Sequence, residues 1–391
     1  MSNAASKRLG DLINLKRGYD LPENQRRPGP YPVISSAGIT GYHDEYMVEG
    51  TGVVTGRYGT LGEMYYVNGK YWPHNTALYV TTFKGNDPKY IYYLLTCLGR
   101  IRTSDKSAVP GVNRNELHEM AIPVVTDKSQ QQKIAAVLSA LDAKIDCNKR
   151  INAELEAMAK TLYDYWFVQF DFPDANGKSY KSSGGKMVYN TTLKREIPAG
   201  WVDSSVLAVA DLLGGGTPTK KKPEYWSGHI PFFTPTDADG TIFKFSTADY
   251  ITDEGLKGSS TKLLGKHTVF ITARGSVGRL VLAGVDMAMN QSCYALRAKA
   301  AISHVFLFFL AKELIHHLQV KSSGSVFDSI VSNDIELTKL AIPKGEVIEK
   351  FAAVVEPAFE KIANNTKENQ QLAQLRDWLL PLLMNGQVTV A

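Results

Sequence analysis

Between residues 130 and 166 the apolar positions Ile134, Val137, Leu138, Leu141, Ile145, Ile151, Leu155, Met158 and Leu162 recur at steps of three and four. That spacing predicts one long helix with a single apolar stripe. One heptad position reads Ile134, Leu141, Asn148, Leu155, Leu162, so a seven-residue period runs through the whole stretch. At 1.5 Å per residue the helix would be roughly 55 Å long, and so long a stripe needs a partner. Moving 217 residues along the chain gives Phe351, Ala358, Asn365, Leu372 and Leu379, with the polar position repeated. A second helix is therefore predicted, with Gly386 as its stop. Pro357 predicts a kink or break inside it, and Pro381 an end or bend in its last turn.

The remaining pattern is shorter-ranged. Residues 5–127 alternate β-type runs (53–55, 64–67, 77–82) with Gly, Pro and Asn, and Ile91, Leu94, Leu95 and Leu98 predict a short helix. The long helix, residues 128–170, follows with Thr126, Asp127 or Ser129 as its cap. Residues 171–200, rich in Gly, Ser, Asn and Lys, read as a connector. Residues 201–345 then repeat the first plan. Asp11-Leu12-Ile13 returns as Asp211-Leu212-Leu213, and Thr55-Gly56-Arg57-Tyr58-Gly59 as Thr272-Ala273-Arg274-Gly275. Asn75 returns as Asn290, Asn113 as Asn333, and Ala121-Ile122-Pro123 as Ala341-Ile342-Pro343. Echoes in one constant order indicate an internal repeat. The fold class expected is α+β: two pseudo-repeated mixed α/β domains separated by two long antiparallel helices, 128–170 and 346–386, that form a coiled coil.

Composition narrows the class. With 391 residues, 44% hydrophobic and 21% charged, the chain is long and ordinary enough for several folded domains. A net charge of +5 is compatible with nucleic acid without requiring it. Cys97, Cys147 and Cys293 are isolated, which argues against zinc and a disulfide framework. The longest apolar run, residues 305–311, is far short of a membrane span, so a soluble cytoplasmic protein is expected.

A search for catalytic chemistry returns little. Gly214-Gly215-Gly216-Thr217-Pro218-Thr219-Lys220 lacks the spacing of a phosphate cradle, and His118-Glu119 does not continue into a zinc-protease motif. The dinucleotide fingerprint, the nucleophile elbow and the Asn-Pro-Pro-aromatic motif of amino-group DNA methyltransferases are absent. Binding chemistry is better represented. Arg57 with Tyr58, and Arg274 with Arg279, lie in Gly-containing loops where Arg's planar fork suits phosphate or a guanine edge. A tight turn with a solvated Arg is the other reading. Lys16, Arg17, Arg26 and Arg27, and Lys220, Lys221 and Lys222, are candidate phosphate contacts or else solvated basic loops. His74 with Asn75, and Asn290 with Gln291, are candidates for base edges or for turn formation. Arg102, Lys106 and Arg114, and Lys321 and Asn333, are further candidates ahead of the helices. Asn148 and Asn365, with Asn152 and Asn369, are assigned to helix register. Tyr163, Tyr165, Trp166, Phe167 and Phe170 are too many aromatics for one helix face, and read as core or as a docking surface.

The order segment, long helix, segment, long helix resembles the specificity subunit of type I restriction–modification systems. Gln131-Gln132-Lys133-Ile134-Ala135, Leu162-Tyr163-Asp164-Tyr165-Trp166-Phe167-Val168, Lys181-Ser182-Ser183-Gly184-Gly185 and Glu196-Ile197-Pro198-Ala199-Gly200-Trp201 carry the likeness. The second half departs from it at Pro357 and at Asp377-Trp378-Leu379-Leu380-Pro381. The resemblance implies target-recognition domains at 5–127 and 201–345, each reading half of a split site on double-stranded DNA, with the helices as spacer. It implies that two modification subunits holding S-adenosylmethionine dock on the chain. Restriction subunits using ATP and magnesium would join them. The chain itself would be non-catalytic, with no cofactor or metal of its own. A coiled-coil adaptor for proteins, without DNA readout, is the alternative.

Overall fold

The computed structural model describes residues 4–56, 63–104, 114–321 and 328–390, the side chains of 99–104 excepted. The chain divides into one unit made of residues 1–146 and 370–391 and another made of residues 147–369.

In the first unit six strands form a sheet in the order Asn14–Arg17, Ala77–Thr82, Val48–Gly56, Met64–Pro73, Tyr31–Ser35, Gly38–His43. All neighbours are antiparallel except Tyr31–Ser35 with Met64–Pro73. One face buries Leu15, Val53 and Val80 against Ile91, Leu94 and Leu95 of the helix Pro88–Ser104. The same core takes in Ile134 and Leu138 from one long helix and Leu380, Leu383 and Met384 from the other. Fully burying a side chain of this size stabilises by about 1.5–3 kcal/mol, so this stripe is what fixes the helix ends to the sheet.

The second unit repeats the pairing. Ala210–Gly214, Cys293–Ala298, Val269–Thr272 and Leu280–Ala283 lie side by side in the order of the first unit's first four strands, and Phe243–Lys244 closes the sheet. Its core is more aromatic. The helix His304–Lys321 is apolar all round and buried over Val305–Ala311, whereas His316, Gln319 and Val320 further along are exposed. Its Phe306 and Phe309 meet Tyr163, and Phe306 also meets Phe167. The aromatic run after the first long helix is thus core, with Tyr165 alone half-exposed.

The long helices are Lys128–Tyr163, extended by a π-helical turn at Asp164–Val168, and Gly345–Met384. Asp127 caps the first, its carboxylate accepting from the Gln130 amide at 2.8 Å. Within each unit they run antiparallel. Arg376 reaches Asp142 at 2.7 Å in the first, and Asn148 reaches Asn369 at 3.0 Å in the second. The break expected at Pro357 does not occur. Ala353, whose carbonyl loses its donor, lies with Pro357 on an exposed face that solvent can reach. Val355, Phe359 and Ile362 meanwhile hold the other face in the core. Pro381 does not end the last turn either; Gly386, at φ +69°, does.

The stretch expected as a connector is folded. Met187–Asn190 pairs with Arg195–Pro198, and Phe172 stacks on Tyr180 and Trp201 at 4.6 and 5.4 Å. Three widely spaced aromatics supply packing that the surrounding Gly and Ser conceal.

Candidate nucleic-acid interface

In each unit the first strand of the main sheet, Asn14–Arg17 or Ala210–Gly214, ends by crossing a tight turn. In the first, Arg17 lies opposite Leu78, the Tyr19 amide donates to the Pro73 carbonyl at 2.8 Å, and the Ala77 amide to the His74 carbonyl at 2.9 Å. A Cβ on Gly18 would stand 2.2 Å from the His74 carbonyl oxygen. In the second, Gly214 lies opposite Tyr294, Gly216 donates to the Met289 carbonyl at 3.1 Å, and Cys293 to the Asn290 carbonyl at 3.2 Å. A Cβ on Gly215 would stand 1.9 Å from the Asn290 carbonyl oxygen. Glycine is required in both places because backbone meets backbone.

These bonds fix the structural repeat. Arg17 corresponds to Gly214, His74 to Asn290 and Asn75 to Gln291, one residue off the echo between Asn75 and Asn290. Gly56, opposite Ala77, corresponds to Thr272, opposite Cys293, again one residue off the loop echo. Asp11 lies in the helical turn Leu9–Leu12 whereas Asp211 is in a strand, so that echo has no structural counterpart. Ladder register is set by burial and turn length, and similar letters drift against it.

Around the first crossing the predicted residues converge. Lys16 bonds Tyr19 at 3.3 Å, and Tyr19 bonds Tyr79 at 3.1 Å. The Arg17 Nε donates to the Asn75 carbonyl at 3.2 Å, and its guanidinium is 4.0 Å from the Asp20 carboxylate. The Asn75 amide nitrogen in turn donates to Asp20. Asp20 was missed in the sequence; only its three-residue spacing from Arg17 hints at it. Arg26 bonds the Thr40 carbonyl at 2.9 Å, and its buried Nε has no partner among the described residues. Burial, with the Arg26 charge second, lowers the His74 pKa, so that ring stays neutral at pH 7. Arg27 differs, since Asp44 at 2.8 Å and Glu45 at 2.7 Å balance its charge.

At the second crossing Thr217 bonds the Gln291 side chain, and Asn290 accepts from the Ser292 amide at 3.0 Å. The Arg274 amide donates to the Ser292 carbonyl at 3.2 Å, which sets the exposed Arg274 beside this turn. Lys220 lies over Trp226 and Lys222 over Tyr225, while Lys221 is exposed. Arg279 points elsewhere, to the Ala238 carbonyl, and lines a cavity of about 340 Å³ with Phe308, Lys312 and His316.

The other candidates do not join these groups. Arg114 is exposed on the short helix Arg114–Glu119, Lys321 closes the helix His304–Lys321, and Asn333 is exposed in Ser332–Leu337. Arg57, Tyr58 and Lys106 lie outside the described residues, as does the Arg102 side chain. Asn148 and Asn365 are buried between the long helices, Asn365 donating to Asn152 at 2.9 Å. Among the described residues no three His, Cys, Asp or Glu side chains gather as metal ligands, and no helix is long and apolar enough to cross a membrane.

Residues 1–157 and 198–374 match the family model described as the type I restriction modification DNA specificity domain. The chain belongs to that family. The specificity subunit of the type I restriction enzyme MjaIX of Methanocaldococcus jannaschii is 28% identical over 312 residues, 77% of this chain and 69% of that one. The HindI specificity subunit of Haemophilus influenzae is 23% identical over 356 residues, 77% of each chain. The crystal structure of the type I restriction–modification S subunit from M. genitalium superposes with a TM-score of 0.59 at 16% identity, covering 98% of this chain and 96% of that one. Two matched domains and two long helices are thus the specificity-subunit fold, and the paired crossings belong to its DNA-recognition domains.

Proposed function

We propose that the chain is the non-catalytic reader of a bipartite double-stranded DNA target, each unit reading one half. The observation that carries this is the same strand-over-turn crossing built twice with different side chains: Arg17, His74 and Asn75 in one, Gly214, Asn290 and Gln291 in the other. A shared scaffold with divergent polar tips is what two readers of different sequences require. The chain docks two modification subunits, which bring S-adenosylmethionine and the methyl-transfer residues. Restriction subunits bring ATP and magnesium.

The test is co-expression with modification subunits followed by mapping of methylated sites. A split recognition sequence is expected, with Arg274→Ala weakening discrimination in one half alone. Assembly without sequence-selective, salt-sensitive DNA binding would instead favour a protein adaptor, and equal loss in both halves would rule out separate readers.

A further inference from the structure

The first crossing holds a side-chain constellation that the second lacks. Arg17 is exposed, anchored through Nε to the Asn75 carbonyl at 3.2 Å and drawn toward Asp20 at 4.0 Å. Asp20 is exposed in turn and also accepts from the Asn75 side chain. Gly18 locks the strand end against His74, so the segment bearing Arg17 has little freedom. An Arg fixed at Nε and 55% exposed still carries two parallel donors on its terminal nitrogens. The major-groove edge of guanine offers two acceptors at matching separation. A carboxylate beside it disfavours a phosphate at that point and suits the amino group of the paired cytosine. The equivalent of Arg17 in the second unit is Gly214, which has no side chain to extend.

We infer that Arg17 reads a guanine in the half-site of the first unit, with Asp20 as the positioning residue that holds Arg17 and Asn75 for that contact. The inference rests on the bipartite-reader proposal above. A phosphate clamp and a base reader separate cleanly here. A clamp needs only charge, whereas a guanine reader needs the planar fork.

The experiment compares wild type, Arg17→Lys, Arg17→Ala, Asp20→Ala and Gln291→Ala chains. Each is assembled with modification subunits and assayed by methylation of a plasmid library randomised over the wild-type target. Wild type should show a G·C pair in one half-site. Arg17→Lys and Arg17→Ala should both lose preference for that pair by roughly ten- to a hundredfold, with the other half unchanged. Asp20→Ala should relax the same pair without lowering methylation uniformly, and Gln291→Ala should act only on the other half. Arg17→Lys matching wild type, or any Arg17 variant lowering methylation equally at all sequences, would overturn the guanine contact. An Asp20→Ala profile identical to wild type would overturn its positioning role. No sequence-selective methylation by the wild-type assembly would instead defeat the reader proposal on which this one stands.

Discussion

At the scale of single residues, the two glycines at the crossings are among the tightest constraints. At both positions the obstructing atoms are carbonyl oxygens, which cannot rotate away as a side chain would. Gly18→Ala and Gly215→Ala should each cost about 1–3 kcal/mol through overpacking, read as a lower denaturation midpoint. An unchanged midpoint in both would show that the crossings yield easily. The buried asparagines make a second case. Asn148 donates to Glu368 at 2.7 Å and to Asn369 at 3.0 Å, so Asn148→Leu removes two hydrogen bonds from a buried polar layer. A loss of roughly 1–3 kcal/mol is expected in chemical denaturation. A more stable variant with unchanged oligomeric state would argue that the polar layer contributes neither stability nor register.

At the scale of elements, the helix His304–Lys321 meets the second long helix through an ionisable contact. The His304 ring stacks on His267 at 3.9 Å between centroids, 7° from parallel, and its Nδ1 is 3.8 Å from Glu356. Burial, then the neighbouring His267 and Lys266, pushes His304 down to about 4. His267 is also lowered, by burial and Lys266, against the opposing pull of Glu356 and Glu360. A histidine depressed in the fold titrates near 6.5 when unfolded, so the unfolded state binds more protons between those values. The stability that depends on His304 staying neutral is complete above about pH 6.5 and is lost as pH falls toward 4. Between pH 7 and 4.5 the native chain should lose roughly 1–3 kcal/mol more than His304→Gln; parallel pH profiles would refute the contribution. Such a contact is invisible in sequence, since His267, His304 and Glu356 are far apart in it. The helices themselves were legible because a seven-residue period survives in letters. Pro357 does not break its helix because proline's cost depends on whether its face is wet, which periodicity alone does not reveal. The candidate site was half legible: Arg17, Asn75, Asn290 and Gln291 stood out by residue type, and the fold gathers them at the two crossings. Their equivalence across the repeat emerged only from the strand ladders, and Asp20 only from its bonds.

At the scale of the whole molecule, two long helices pass from one unit into the other. If they set the spacing between half-sites, four residues inserted at matched positions in both should change the number of unspecified base pairs in the methylated sequence while leaving each half intact. An identical gap would refute the helices as a ruler.

The asparagine bonds also record history. Shifting by the 217-residue repeat turns Asn148 into Asn365 and Asn152 into Asn369, and the bonds from Asn148 to Asn369 and from Asn365 to Asn152 exchange places. The same shift turns the ion-paired Asp142 and Arg376 into Phe359 and Ala159, both apolar and buried. Two identical ancestral halves satisfy the asparagine layer twice over, and would likewise carry either the ion pair or the apolar residues at both places. The difference between the two places therefore arose after the two halves had begun to diverge. From then on each helix was committed to its own end of the molecule.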